Sequence, residues 1–274
     1  MKKILIVLLT ACFFFPLHTN AQNRTLKKVL ELKMPKTTED ELCGTRGGSV
    51  CWNPLTQKYY ASFAGNKGFP MAVFDTKGKR LSTTDLITQA DTRGLWYDPA
   101  RKKICGNGYH ETGWFSYTLD TKGIPTDVLI DHEGMNQPGE NSAGTYNPVK
   151  KEVIFLNNEL VSFYKNDATN TENTLTLSFG AKKSEGKSGE QESDNSVSEY
   201  NNTSVLFTGI PGSELGVLNT TKKQVELYSY SNGSLGKIFM LPDDTPVEKS
   251  FNFAYANGIY WLFDIENRKW LGFK

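Results

Sequence analysis

Beyond its first 21 residues the sequence lacks any apolar run long enough to cross a bilayer as a helix. It also lacks net charge: 31 Lys and Arg against 30 Asp and Glu leave +1. That balance gives no electrostatic reason to expect nucleic acid or an anionic membrane surface as a partner. Cysteine is too sparse for a disulfide scaffold. Of four cysteines, Cys12 falls in the N-terminal stretch, which leaves Cys43, Cys51 and Cys105. An odd number leaves at least one free thiol. Cys43 and Cys51 can pair if the chain between them folds back, or they can stay as buried, inert thiols. No catalytic or cofactor-binding motif stands out, so no cofactor and no metal are expected.

What is present begins with an export signal. Met1-Lys2-Lys3 precedes an apolar stretch over residues 4–17, then His18-Thr19-Asn20-Ala21 before Gln22. A basic start, an apolar core and small residues before the cut define a signal peptide over residues 1–21. Leu9-Thr10-Ala11-Cys12 offers a competing reading as a lipoprotein box, with Cys12 lipidated. The mature chain, residues 22–274, is expected in the periplasm or secreted, or alternatively lipid-anchored at Cys12. Its length suits one all-β domain, expected to be a monomer.

The main signal is internal repetition. Val50-Cys51-Trp52-Asn53-Pro54, Leu95-Trp96-Tyr97-Asp98-Pro99 and Gly144-Thr145-Tyr146-Asn147-Pro148 each run from apolar or aromatic residues into Asn-Pro or Asp-Pro. Pro fixes its own φ and pushes the preceding residue out of the helical region, so each reads as strand, tight turn, strand. Val73-Phe74-Asp75-Thr76-Lys77-Gly78 and Thr118-Leu119-Asp120-Thr121-Lys122-Gly123 read as strands ending in Asp-initiated turns closed by Gly. Pro54 to Pro99 and Asp75 to Asp120 are both 45 residues apart, the length of one four-stranded propeller blade.

Two later units keep the rhythm without the proline. One has strands at 203–208, 214–219, 224–230 and 235–241. The other has three, at 251–255, 259–263 and 269–273. Its missing fourth strand is predicted at the other end of the chain, residues 26–35, whose Leu-rich, Lys-bearing run ending in Pro35 matches 235–242. Pairing the two ends closes a ring and removes free sheet edges. The predicted fold is therefore all-β: a β-propeller of about five four-stranded blades, with six as the alternative, closed by the N-terminal strand. Residues 179–202, rich in Lys, Ser, Glu and Gly, read as a flexible polar insertion loop. Gly186-Lys187-Ser188 within it lacks the glycine spacing and strand-to-helix context of a phosphate loop.

The repeat pattern resembles that of NHL and SMP-30-like propellers. This resemblance implies a propeller scaffold and, because such repeats underlie many activities, no particular function. Calcium-dependent lactonases of the SMP-30-like group place cation ligands at strand starts where this chain carries arginine.

Propeller geometry predicts two unlike faces. Asn-Pro and Asp-Thr-Lys-Gly turns share one, which reads as short, regular and bland. Strand starts and irregular loops share the other, where binding residues are expected. That loop face carries Arg46, Asp91 and Arg93, then Tyr109, His110, Glu111 and Trp114, then Asp131, His132 and Glu133, then Glu140, with Glu248 on the last blade. Arg46 and Arg93 can clamp a carboxylate, phosphate or sulfate, or pair with neighbouring carboxylates to tie the blades together. Tyr109 and Trp114 can stack on a sugar ring or pack the core. The histidines and carboxylates are candidate metal ligands or an acid and base, with no spacing that fixes such geometry. The expected function is non-enzymatic binding of an anionic ligand, a glycan or a protein loop. The alternative is a glycan- or lactone-acting hydrolase using Asp91, Glu140 and Glu248 across the channel mouth.

Overall fold

The computed structural model describes residues 24–36, 46–179 and 197–274. The expected signal peptide over residues 1–21, Cys12, Cys43 with its possible pairing, and Gly186-Lys187-Ser188 lie outside these residues. Described strands form five sheets, one per blade. The chain starts with two short pieces, β1 (Arg24–Thr25) and β2 (Lys28–Lys33), and then makes blade 1 from β3 (Arg46–Asn53), β4 (Lys58–Ala64) and β5 (Met71–Phe74). Blade 2 is β6 (Thr92–Asp98), β7 (Lys103–Gly108), β8 (Trp114–Leu119) and β9 (Pro125–His132). Blade 3 is β10 (Thr145–Asn147), β11 (Glu152–Asn157), β12 (Leu160–Lys165) and β13 (Asn170–Thr176). Blade 4 is β14 (Leu206–Phe207), β15 (Leu215–Asn219), β16 (Gln224–Tyr228) and β17 (Leu235–Met240). Blade 5 is β18 (Phe253–Ala256), β19 (Ile259–Asp264) and β20 (Lys269–Phe273), completed by β2.

The ring closes as the sequence predicts. β2 runs antiparallel to β20 with Leu32 opposite Trp270 and Glu31 opposite Leu271. The Glu31 carboxylate accepts hydrogen bonds from Lys28 at 2.8 Å and Lys269 at 2.9 Å. β1 adds a parallel fifth strand to blade 4, and Lys27 exchanges two backbone hydrogen bonds with Lys274. The N-terminal segment thus ties blade 4 to blade 5.

Burial falls from the axis outward, which explains the composition of each strand. Second strands such as β4 and β19 are buried on both faces, because each blade is packed between two others. Outer strands β9, β13 and β17 are largely exposed or half-buried, and β13 is mostly polar. Blade 1 departs from the four-strand expectation. After Gly78 its outer segment makes only isolated bridges, Phe74 with Arg80 and Pro70 with Ile87. The Val73 N–H donates to the Ser82 hydroxyl at 3.1 Å, where a fourth strand would offer a carbonyl.

The repeated turns share one chemistry. Asn53, Asp98 and Asn147 each accept two backbone N–H groups through Oδ1, at 2.9–3.3 Å. Asp75 and Asp120 do the same at 2.8–2.9 Å, and their turns close on Gly78 (φ +78°) and Gly123 (φ +73°). These are Asx turns, in which the side chain replaces a backbone acceptor. At the edges of the 179–202 stretch, Phe179 stacks on buried Tyr200 at 4.1 Å, and Asn201 is fully buried. Those edges are therefore core, not solvated loop, because aromatic rings there fill the space between blades 3 and 4.

Candidate functional site

The first strands β3, β6, β10, β14 and β18 surround the axis in that order, each in contact with the next and β18 with β3. The first strands of blades 2 and 3 approach closely at Gly94 and Gly144. A Cβ on Gly94 would stand 2.4 Å from the backbone N and O of Gly144. Asn107 pins this junction: its Oδ1 accepts the N–H groups of Gly94 and Gly144 at 3.1 and 2.9 Å, and its Nδ2 donates to Gln137 and to the Ser142 carbonyl. Midway along the axis only about 20 Å³ remains, between Val50, Leu95, Gly144, Val205 and Ala254. The two mouths are thus separate recesses.

On the loop face, strand starts from blades 1, 2, 3 and 5 surround a depression of about 180 Å³ lined by Arg46, Phe69, Arg93, Asn141 and Phe251. Phe251 forms its floor. Phe251 and Asn252 have φ of +53° and +57°, a left-handed conformation that costs about 1–2 kcal/mol per residue for non-glycine. Five hydrogen bonds hold it. Phe251 N–H donates to Thr203 Oγ1 at 2.7 Å, and its carbonyl accepts from Asn201 at 2.8 Å. Asn252 exchanges backbone and side-chain bonds with Gly47, and its carbonyl accepts the Phe263 N–H at 3.0 Å. The turn thereby sets the Phe251 ring 5.2 Å from the Arg93 guanidinium and 5.9 Å from that of Arg46.

The two arginines differ in state. Arg93 is 5% exposed. Its Nη1 pairs with Asp91 at 2.5 Å, its Nε donates to Asn141 at 3.2 Å, and its face lies 4.6 Å from the Tyr109 ring. Asp91 also accepts the Gly65 N–H at 2.8 Å, joining blade 1 to blade 2. Arg46 is exposed, and its described contact is the ring of Phe251. Tyr109 donates to Glu140 at 3.0 Å, and this hydrogen bond and the adjacent charge raise the Tyr109 pKa above the ordinary phenol value. His110 Nε2 stands 3.8 Å from Glu140. Of the residues singled out in the sequence, the fold thus brings together Arg46, Asp91, Arg93, Tyr109, His110 and Glu140. His132 lies on the outer strand β9, edge-on to Trp114 at 6.3 Å. Asp131 pairs with Arg101 at 2.9 Å. Among the described residues, no three His, Cys, Asp or Glu side chains are grouped to hold a metal ion. Sequence reasoning missed Phe69 and Phe251, whose aromatic character reads simply as strand core. The positive φ of Phe251 has no local sequence signal, since no Gly or Asn stands at that position.

The turn face is not bland. It opens into a recess of about 460 Å³, lined by the ends of all five first strands. The short regular turns there form a rim, and aromatic residues that precede each turn fill the wall.

No family model matches the chain, and no curated protein matches it. In structure it is similar to glutaminyl cyclase from Myxococcus xanthus, at 7% sequence identity over 92% of this chain and 97% of that one, with a TM-score of 0.56. Weaker likenesses are to a catalytically inactive virginiamycin B lyase from Staphylococcus aureus (12% identity, 85% and 67% covered, TM-score 0.42). An auxiliary nutrient binding protein from Bacteroides thetaiotaomicron is comparable (11% identity, 83% and 58% covered, TM-score 0.42). None of these singles out the NHL or SMP-30-like group. At such identities the likeness establishes the β-propeller fold alone, since one fold carries many activities.

Proposed function

We propose that this protein is an exported, non-enzymatic binding module whose loop face recognises an anionic group on its ligand. The observation that carries this reading is the unequal pairing of the two arginines. Arg93 is neutralised by Asp91 and acts as a strut between blades, whereas Arg46 is exposed above the same phenylalanine with no carboxylate partner among the described residues. A carboxylate seated over Phe251 would meet the open Arg46 fork and the Asn141 amide, in a depression sized for one small headgroup. The hydrolase alternative needs two free carboxylates facing each other. Asp91 is tied to Arg93 and the Gly65 N–H, and Glu140 to Tyr109, which favours binding over hydrolysis.

The test is calorimetric titration with oligogalacturonates and Asp/Glu-rich peptides. The expected result is saturable binding that Arg46→Ala weakens at least about tenfold and that added salt weakens further. Binding unaffected by Arg46→Ala, or turnover of glycan or lactone substrates by the purified protein, would overturn the reading.

A further inference from the structure

A net charge of +1 does not mean an even surface. The proline turns of blades 1, 2 and 3, residues 53–58, 98–103 and 147–152, rim the turn-face recess. They carry Lys58, Arg101, Lys102, Lys103, Lys150 and Lys151 against only Asp98 and Glu152. Both carboxylates are engaged, buried Asp98 by Arg101 and Asn166, and Glu152 by the Tyr230 hydroxyl. The Asp120 turn leans on the first of these turns, since a Cβ on Gly123 would lie 3.6 Å from Thr56. It adds Lys122, while the Asp120 carboxylate accepts backbone N–H groups. Lys102, Lys122 and Lys151 are exposed, with no ion-pair partner among the described residues. The loop mouth, by contrast, intersperses Arg46 and Arg93 with Asp91, Glu111 and Glu140.

The tips of the same turns are apolar. Val149 and Leu55 are the two most exposed large apolar side chains among the described residues, at 85% and 64%. They hold the same place in the repeat, directly after Pro148 and Pro54, and Ala100 holds it in blade 2. One exposed apolar residue is ordinary. Two at equivalent tips, beside a basic rim and around one recess, form a pattern. The turns cannot fold these tips inward. Asn53 accepts the Leu55 and Thr56 N–H groups, and Asn147 those of Val149 and Lys150. Just inside the rim, half-buried Trp52, Tyr97 and Tyr255 line the recess. Such amphipathic rings settle at membrane–water boundaries. The recess lining contains no Asp, Glu, Lys, Arg or His.

We infer that the turn face docks on a lipid bilayer containing anionic phospholipid. Leu55 and Val149 reach past the headgroups, and the lysines around them meet the phosphates. An acidic protein would satisfy the lysines but would bury both tips only with an apolar pocket opposite each. A bilayer offers apolar depth everywhere beneath one charged plane, which fits tips on separate blades. Docking this way directs the loop-face depression away from the lipid, because the two mouths lie at opposite ends of an axis closed to about 20 Å³. It does not depend on what that depression binds.

The experiment is co-sedimentation of the mature chain, residues 22–274, with two kinds of vesicle: phosphatidylcholine alone, and phosphatidylcholine with an equal part of phosphatidylglycerol. Binding is expected to the anionic vesicles only, and to weaken at least about tenfold when ionic strength is raised to about 0.5 M. Lys102→Glu with Lys151→Glu and, separately, Leu55→Ser with Val149→Ser are each expected to weaken it at least about tenfold. All four side chains are exposed, so both variants should keep the wild-type Tm. Val149→Trp should show emission quenched by lipids brominated along their acyl chains, which a purely electrostatic contact would not produce. The inference fails if anionic vesicles do not sediment the protein, or if phosphatidylcholine alone sediments it equally. It fails also if Arg46→Ala abolishes binding while the turn-face variants keep it. Equal affinity for soluble polyglutamate, unchanged by Leu55→Ser with Val149→Ser, would put an acidic protein partner in place of the bilayer and overturn it.

Discussion

Leu32 and Trp270 stand opposite each other in the pairing that joins the first long strand of the chain to its last, and both are fully buried. Their contact is what makes the propeller a ring and not an open stack of sheets. Leu32→Ala removes a buried side chain from the core shared by blades 1 and 5 and is expected to cost about 2–5 kcal/mol. Thermal unfolding should show a lower Tm. The neighbouring exposed change Val29→Ala should shift it little.

The Arg93–Asp91 pair is structural, whereas Arg46 has no carboxylate partner among the described residues, so the two arginines should separate in stability measurements. Asp91→Ala leaves a guanidinium buried without its partner and removes the acceptor of the Gly65 N–H, a loss of about 3 kcal/mol. Arg46→Ala should change stability by less than about 0.5 kcal/mol. Denaturant unfolding of both variants checks the difference.

The junction of blades 2 and 3 depends on an absent methyl group. Gly94→Ala would drive a Cβ against the Gly144 backbone, which cannot move without parting the first strands. An overpacking cost of about 1–3 kcal/mol is expected. Asn107→Ala should cost more, since it leaves several buried groups without partners at about 1–3 kcal/mol each. Both are read from chemical denaturation.

Asp98 makes stability depend on acid. Burial by itself would raise its pKa, but hydrogen bonds from Asn166, from the Arg101 and Ala100 backbone and from the Arg101 side chain outweigh this and lower it. A lowered folded-state pKa gives stability that is fully present above the unfolded value, near about 3.9, and is lost as pH falls through the folded value. The Tm of the wild type should therefore drop more steeply below about pH 4 than that of Asp98→Asn, whose amide cannot titrate.

Cys51 and Cys105 are free and buried. Burial raises both thiols, Cys105 to about 12 with the nearby Arg101 opposing part of the rise, and Cys51 further. A thiol held neutral and inaccessible reacts slowly. In a mature chain carrying Cys43→Ser, a disulfide-exchange reagent should label neither residue in the folded state and both after unfolding.

Much of the fold was legible in the residues themselves. Asn53, Asp98 and Asn147 before proline, and Asp75 and Asp120 before glycine, set local turns whose hydrogen bonds lie within four residues, so spacing alone exposes the blade. The closing strand was legible because residues 26–35 repeat the pattern of another fourth strand. The irregular outer segment of blade 1 was not, because Ser82 supplies a ladder acceptor from a side chain. The loop-face cluster was legible in part: equivalent positions in successive blades bring Arg46 and Arg93 to one mouth, but whether a charge stays free depends on a partner such as Asp91.

What the sequence determined by itself is therefore the periodic part, strands, turns, blade length and ring closure, since these rest on short-range backbone preferences repeated along the chain. Only the tertiary structure decided which arginine is open, that Phe251 is held in a left-handed turn as the floor of one mouth, and that the regular turn face encloses an aromatic recess. Arg93 is closed by Asp91, two residues away, with Asn141 from the next blade, while the Phe251 turn and the recess depend on residues from three or more blades meeting at an axis. That convergence is set by the curvature of the closed ring, and no local stretch of sequence encodes it.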